Sequence, residues 1–377
     1  MLTVQNMQPE TAALLRQVFH NQDAVWPEGN SLTAEVFFLE VRAQGLVPLL
    51  FRQLRKEHCL HWPPELLARL RATALRQAAA ELLWETDLRS VLQALAGISV
   101  APLLLKGTAL SYSLYPEPWL RPRCDTDLLI PVADREKTAA LLQQLGYKPL
   151  HEASANWINS QSSWSQPRQG VDCRYDLHWQ INNNSSKFSR NFTETTPVAL
   201  PVLGEHAKTL NTIDALLLAC FHRAGHFSHS GDQLIWLYDI HLLCQALTEQ
   251  EAAMFHQKAK ELEISSLCAD AATAAQFWFN TTLPETFAAM LQEQRSDEEF
   301  SLFLQPGRSA GIRNHALLKL QDMATWHERL RFLWYNLFPP AEYMLWRYNK
   351  KNKFVLPLLY AQRCAEAVAL LLKRESR

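Results

Sequence analysis

Two aspartates two residues apart, Asp125 and Asp127, lead directly into the apolar run Leu128-Leu129-Ile130. On a strand, residues i and i+2 point to the same face, so this spacing sets two carboxylates side by side. They repel each other unless a cation lies between them, and a divalent metal that also reaches phosphate oxygens suits that geometry. The bland alternative is a solvated strand entry. Upstream, the apolar run Val100 to Leu105 ends at Lys106-Gly107-Thr108. Gly107 permits a positive φ or a close backbone approach of a ligand. Thr108 is a natural N-cap for a helix over Ala109 to Leu114, and the free N–H groups of such a start can hold an anion. A third carboxylate, Asp176, lies in the alternating run Cys173 to Ile181. It shares a strand face with His178, and that face could meet the one carrying Asp125 and Asp127.

A second group consists of histidines. His222 and His226 stand at i and i+4 of a predicted helix, with His229 and His241 further on. That spacing can chelate a transition metal, but no carboxylate completes a His-Glu-x-x-His motif. Core-facing or site-lining histidines are the plainer reading. Asp239, in Leu237-Tyr238-Asp239-Ile240, either faces the cleft or caps polar groups.

The elements that must position these residues follow from the pattern. Strands are expected at Ile98 to Leu105, Asp127 to Val132, Tyr147 to His151 and Cys173 to Ile181. Asp134 opens a helix that Gly146 stops. The stretch 154–170 is rich in Ser, Gln and Asn and reads as loop with a strand at Trp157 to Ser160. Before these strands, Pro63-Pro64 opens a long helix to about Leu95, with Leu66, Leu70, Leu82, Leu83 and Leu92 on or near one stripe. Arg69, Arg71, Arg76 and Arg89 read as its solvated side. After Thr212 the pattern is helical to the end. The expected fold class is α+β, a small mixed sheet embedded in a mostly helical chain. It divides into a helical region over 1–96, a core over 97–211 and a helical domain over 212–377.

Composition bounds the rest. The 377 residues carry a formal charge of −1, so bulk charge gives no strong nucleic-acid signal. Only 11 glycines favour helix, and seven singly placed cysteines without a CxxC fit a reducing cytoplasm. Met1 to Glu10 has no leader pattern, and no apolar run is long enough for a membrane span. The aromatic segment Leu330 to Trp346, broken by Pro339-Pro340, reads as core packing, with a membrane-surface role as the alternative. Nothing sets the oligomeric state.

Taken together, Lys106-Gly107-Thr108, Arg121 to Arg123, Asp125-Thr126-Asp127-Leu128-Leu129-Ile130, Leu145-Gly146-Tyr147 and Asp176-Leu177-His178-Trp179 resemble the bacterial uncharacterised nucleotidyltransferase family, within the polymerase-beta-type superfamily. Cys220-Phe221-His222, Leu234 to Asp239 and the Pro339 to Tyr348 region resemble its helical C-terminal portion. Thr108 stands where the superfamily usually has Ser, and the gap from Gly107 to Asp125 is longer than in its minimal members. The resemblance implies a nucleotidyltransferase core at 97–211 that moves a nucleoside monophosphate from an NTP such as ATP to an acceptor. The acceptor could be a small molecule, a peptide, a protein or a nucleic-acid end. It implies Mg²⁺ or Mn²⁺ on Asp125, Asp127 and Asp176, and phosphate contacts from Gly107 and Thr108. Lys106, Arg121 and Arg123 become candidate counter-charges for the triphosphate. The alternatives are a catalytically silent nucleotide-binding module on the same fold, and a metal-dependent hydrolase built on the histidines.

Overall fold

A computed structural model of the chain describes residues 7–29, 31–54, 59–150, 161–181, 195–230, 232–292, 320, 325–350 and 352–372. In chain order these form α1 (Pro9–Phe19), β1 (Ala24–Val25), α2 (Ala34–Ala43), α3 (Val47–Gln53), β2 (Cys59–Leu60) and α4 (Pro64–Gly97). The middle of the chain gives β3 (Leu103–Leu105), α5 (Lys106–Ser113), β4 (Thr126–Leu129), α6 (Arg135–Gln144), β5 (Lys148–Pro149), β6 (Gln161–Arg168), β7 (Val171–His178), β8 (Val198–Ala199) and β9 (Lys208–Thr209). The remainder is helical: α7 (Thr212–Ser230), α8 (Leu234–Ala246), α9 (Glu249–Glu261), α10 (Ser265–Phe279), α11 (Glu285–Gln292), α12 (Trp326–Leu337), α13 (Ala341–Arg347) and α14 (Leu356–Leu372). The fold is α+β.

Seven strands form one mixed sheet in the order β5-β6-β7-β4-β3-β9-β8. Strand β4 lies parallel to β7 and antiparallel to β3. Leu104, Leu128 and Leu177 are register neighbours and fully buried. They pack one sheet face against the second half of α4, with Leu88, Val91, Leu92 and Leu95. Burial of each such leucine contributes about 2 kcal/mol. The opposite face carries Leu105, Asp127 and Asp176, and Leu105 joins a second core built from α1 to α3 and α7 to α11.

Helix α4 belongs to both cores. Its first half buries Leu66 and Leu70 in the helical core, and its second half covers the sheet. At 1.5 Å per residue its 34 residues run about 50 Å. Two buried carboxylates tie it down: Glu81 accepts from Tyr112 Oη at 2.7 Å, and Asp87 accepts from Tyr175 Oη at 2.9 Å.

Several expectations are corrected. The first strand is shorter than Ile98 to Leu105, because only Leu103–Leu105 finds partners. The stretch around 161–170, expected as loop, forms β6 and turns into β7 through Gln169-Gly170. Both turn residues have positive φ, 48° and 83°, the pattern of a two-residue hairpin turn. Pro167 is tolerated in β6 because β5 pairs with Trp164 and Ser165, which leaves Pro167 without a ladder partner on that side among the described residues. The strand expected at Trp157 to Ser160 lies outside the described residues. In α12, Trp334 is 62% exposed, so this aromatic is not core. No helix among the described residues is long and apolar enough to cross a membrane.

Candidate active site

The strand β3 ends at Leu105 and α5 begins at Lys106 without an intervening loop. Lys106 has φ +50°, a left-handed conformation that costs a side chain about 1–2 kcal/mol. The turn is therefore strained at Lys106, while Gly107 has no positive φ. Gly107 matters for space: a Cβ there would stand 2.8 Å from Arg121 Nη1. The close approach expected at this glycine is made by a side chain of the protein. Thr108 is not the N-cap, since the helix starts two residues earlier. Its hydroxyl instead donates to the Asp125 carbonyl at 3.2 Å, tying the turn to the acidic strand.

The parallel register places Asp127 directly beside Asp176, and Leu129 beside His178. Ligand atoms of Asp127, Asp176 and His178 all lie within 4.8 Å of one another. Asp127 is the most constrained member. Lys106 Nζ donates to its Oδ1 at 2.7 Å, and His178 Nε2 donates to the same oxygen at 2.7 Å. Burial works against the charge on Asp127, but the Lys106 ammonium and the His178 bond hold its carboxyl well below the usual carboxylate range. His178, which shares a strand face with Asp176, spends its Nε2 on orienting Asp127. The other ring nitrogen, Nδ1, is buried without a hydrogen-bond partner. Asp125 stands just before β4 and is partly buried. Burial, followed by the neighbouring charges of Asp127 and Asp176, pushes its carboxyl up to about 6.

Three carboxylates lining one cleft, with Asp127 and Asp176 acting on Asp125, fit a hard divalent ion such as Mg²⁺ or Mn²⁺, which prefers oxygen ligands. Asp127 and Asp176 are the residues best placed to hold it, with Asp125 beside them. His178 already spends Nε2 on Asp127.

The expected counter-charges are largely spoken for. Arg121 is buried and grips Asp239 of α8: Nε lies 3.1 Å from Oδ1 and Nη2 2.7 Å from Oδ2. Tyr115 Oη donates to the same carboxylate at 2.6 Å. Asp239 thus caps a polar group from the core. Arg123 pairs with Glu81 at 3.0 Å, lies over the Trp84 ring, and donates to Thr126 Oγ1 at 2.6 Å. Both arginines hold the acidic strand in place and have their charge met inside the fold.

A cleft of about 1060 Å³ opens over this face. Asp125, Asp127, Asp176, Lys106, Gly107, Arg121, Arg123 and His222 all line it. His222 packs edge-on to Trp236 at 5.4 Å. The side chains of His226 and His229 lie outside the described residues, and His241 is elsewhere, donating or accepting with Thr281 at 2.9 Å. What the sequence missed is the far wall: Arg42 of α2 and Arg69, Thr73, Arg76 and Gln77 of α4. The α4 arginines 69 and 76, expected to be solvated, face the cleft. Their spacing carried the signal, since 69, 73, 76, 77 and 80 fall on one helical face.

No curated protein matches this sequence. Residues 31–280, more than half of the chain, match the family described as "Uncharacterised nucleotidyltransferase", and the acids, the turn and the cleft all fall inside that span. The chain belongs to the uncharacterised nucleotidyltransferase family.

Proposed function

We propose that the protein is a divalent-metal-dependent nucleotidyltransferase that moves a nucleoside monophosphate from an NTP to an acceptor and releases pyrophosphate. The observation that carries this reading is the juxtaposition of Asp127 and Asp176 across β4 and β7, with Asp125 beside them in one cleft, within a chain of this family. Asp125, Asp127 and Asp176 are the residues that would hold Mg²⁺ or Mn²⁺. The bound ion would neutralise phosphate charge and orient the reacting oxygens. Lys106 and His178 keep Asp127 ionised and fixed in direction. Asp176, which lines the cleft and is less buried than Asp127, would serve as the base toward an acceptor hydroxyl. Arg121, locked by Asp239, and Arg123, locked by Glu81, act as struts that fix the turn and the acidic strand. The cleft volume exceeds what one nucleotide needs, leaving room for a small acceptor or the end of a peptide or protein.

One observation favours a second reading, the silent nucleotide-binding module. Asp127 Oδ1 already meets an ammonium and an imidazole, so its charge is balanced without an ion. The deciding experiment incubates the protein with each α-labelled NTP and Mg²⁺ or Mn²⁺, beside Asp125→Ala/Asp127→Ala. Label transfer or pyrophosphate release that the variant abolishes supports the transferase. Metal-dependent binding without turnover supports the silent module, and neither activity nor binding sinks both.

A further inference from the structure

An NTP brings about four negative charges into a site that already holds three carboxylates. Four of the cations lining the cleft are neutralised by the fold: Lys106 by Asp127, Arg121 by Asp239, Arg123 by Glu81 and Arg69 by Glu35. Arg42 and Arg76 are different. Neither has a carboxylate partner among the described residues, and both line the cleft from α2 and α4, elements that carry none of the three acids. Among the described residues Arg76 hydrogen-bonds through Nη2 to Thr73 Oγ1, at 3.1 Å, and Thr73 lines the cleft as well. Gln77, one turn beyond Thr73, lines the cleft as well, and its Nε2 is buried with no hydrogen-bond partner. A buried amide donor without an acceptor is uncommon, and a rotation of this side chain into the cleft would bring it to a ligand.

We propose that Arg42, Arg76 and Gln77 form the binding subsite for the β- and γ-phosphates of the NTP, resting on the nucleotidyltransferase reading above. The charge balance supports phosphate over an acidic acceptor. A divalent pair brings about four positive charges, which cancel the triphosphate. The three acids and Lys106 then leave the loaded site about two charges negative, and the two arginines remove that excess. An anionic acceptor would restore it. The N-terminal helices thereby become part of the substrate site, and the phosphates are held between α5 and the α2–α4 wall. Guanidinium groups suit this because their planar donors match phosphate oxygens in pairs.

The test compares binding of an NTP, the matching NMP and inorganic tripolyphosphate by calorimetry in Mn²⁺. The proteins are wild type, Arg42→Gln/Arg76→Gln and Arg42→Lys/Arg76→Lys. Both arginines are exposed at the cleft rim, so the variants keep the fold, checked by circular dichroism. The Gln pair should weaken NTP and tripolyphosphate by roughly tenfold or more per arginine and leave NMP within about twofold. The Lys pair should recover part of the loss. Unchanged NTP affinity, or NTP and NMP weakening in parallel, overturns the assignment. Asp125→Asn/Asp127→Asn separates the two levels. If wild type binds NTP in a metal-dependent way that this variant loses, but the arginine variants bind as wild type does, only the subsite falls. If wild type shows no metal-dependent NTP binding, the nucleotidyltransferase reading falls first.

Discussion

Gly107→Ala offers a test in which the sign of the effect depends on one neighbouring ion pair, Arg121 with Asp239. Gly107 lies inside α5 with no positive φ, so on backbone grounds alanine should be preferred by up to about 1 kcal/mol. The space forbids it. The new Cβ would meet Arg121 Nη1 at 2.8 Å, Cζ at 2.9 Å and Nη2 at 3.1 Å. An arginine tip is ordinarily free to retreat, but this one is held by Asp239 on two atoms and by the Pro122 carbonyl at 2.7 Å from Nη1. Burial disfavours its charge, and the Asp239 carboxylate outweighs that, holding the guanidinium firmly protonated. Overpacking at such a site costs about 1–3 kcal/mol, with about 3–5 kcal/mol as the ceiling if the buried pair breaks. Net of the helix preference, Gly107→Ala should destabilise by about 2 kcal/mol. In the background Arg121→Ala/Asp239→Ala the obstacle is gone and no buried charge is orphaned. There the same substitution should stabilise by about 0.5–1 kcal/mol. Urea unfolding at neutral pH, followed by circular dichroism, reads both values. Equal costs in the two backgrounds would refute the reasoning, because coupling between contacting residues is what the geometry demands.

The remaining predictions use the same assay. Burial and the neighbouring charges of Asp127 and Asp176 push the Asp125 carboxyl up to about 6, above the ordinary range of an aspartate in the unfolded chain. The native state therefore binds more protons in that window and loses stability as pH rises through it. Without metal, Asp125→Asn should exceed wild type by about 2–3 kcal/mol above pH 7, with the gap closing toward pH 4; a gap independent of pH would count against the crowded-carboxylate picture. Arg223 of α7 joins Asp232, just before α8, at 2.6 Å and Asp270 of α10 at 2.8 Å; Arg223 and Asp232 are buried and Asp270 is half-buried. Arg223→Met leaves the buried Asp232 carboxylate without its guanidinium and should cost about 3–5 kcal/mol, with Arg223→Lys recovering only part. Lys106→Gly should be more stable than Lys106→Ala by about 1 kcal/mol, the reverse of the usual helix order, since both lose the Asp127 pair and only glycine relieves the left-handed φ. Alanine equal to or above glycine would show that the strain at Lys106 is absent.

Local pattern and long-range pairing differ in how far the sequence exposes them. The period of two placed Asp125 and Asp127, and Asp176 and His178, on strand faces, and parallel pairing of β4 with β7 then brings Asp127 to Asp176. The long helix α4 was legible from its prolines and its apolar stripe. The fates of Arg121 and Arg123 were not, because their partners lie 118 and 42 residues away and a charged residue beside a proline looks alike whether its partner is a buried carboxylate, a phosphate or water. The polar strand β6 lacked β-branched residues, and only its Gln169-Gly170 turn announced it. The α4 arginines show the same limit from the other side. A helix face bordering a cleft and one bordering bulk solvent have the same polarity, since both meet water in the absence of ligand. What separates them is the fold of other elements, α2 and the sheet, that close the space around Arg76 and Gln77. Sequence periodicity therefore locates the stripe, and only the three-dimensional cleft turns a solvated face into a candidate phosphate site.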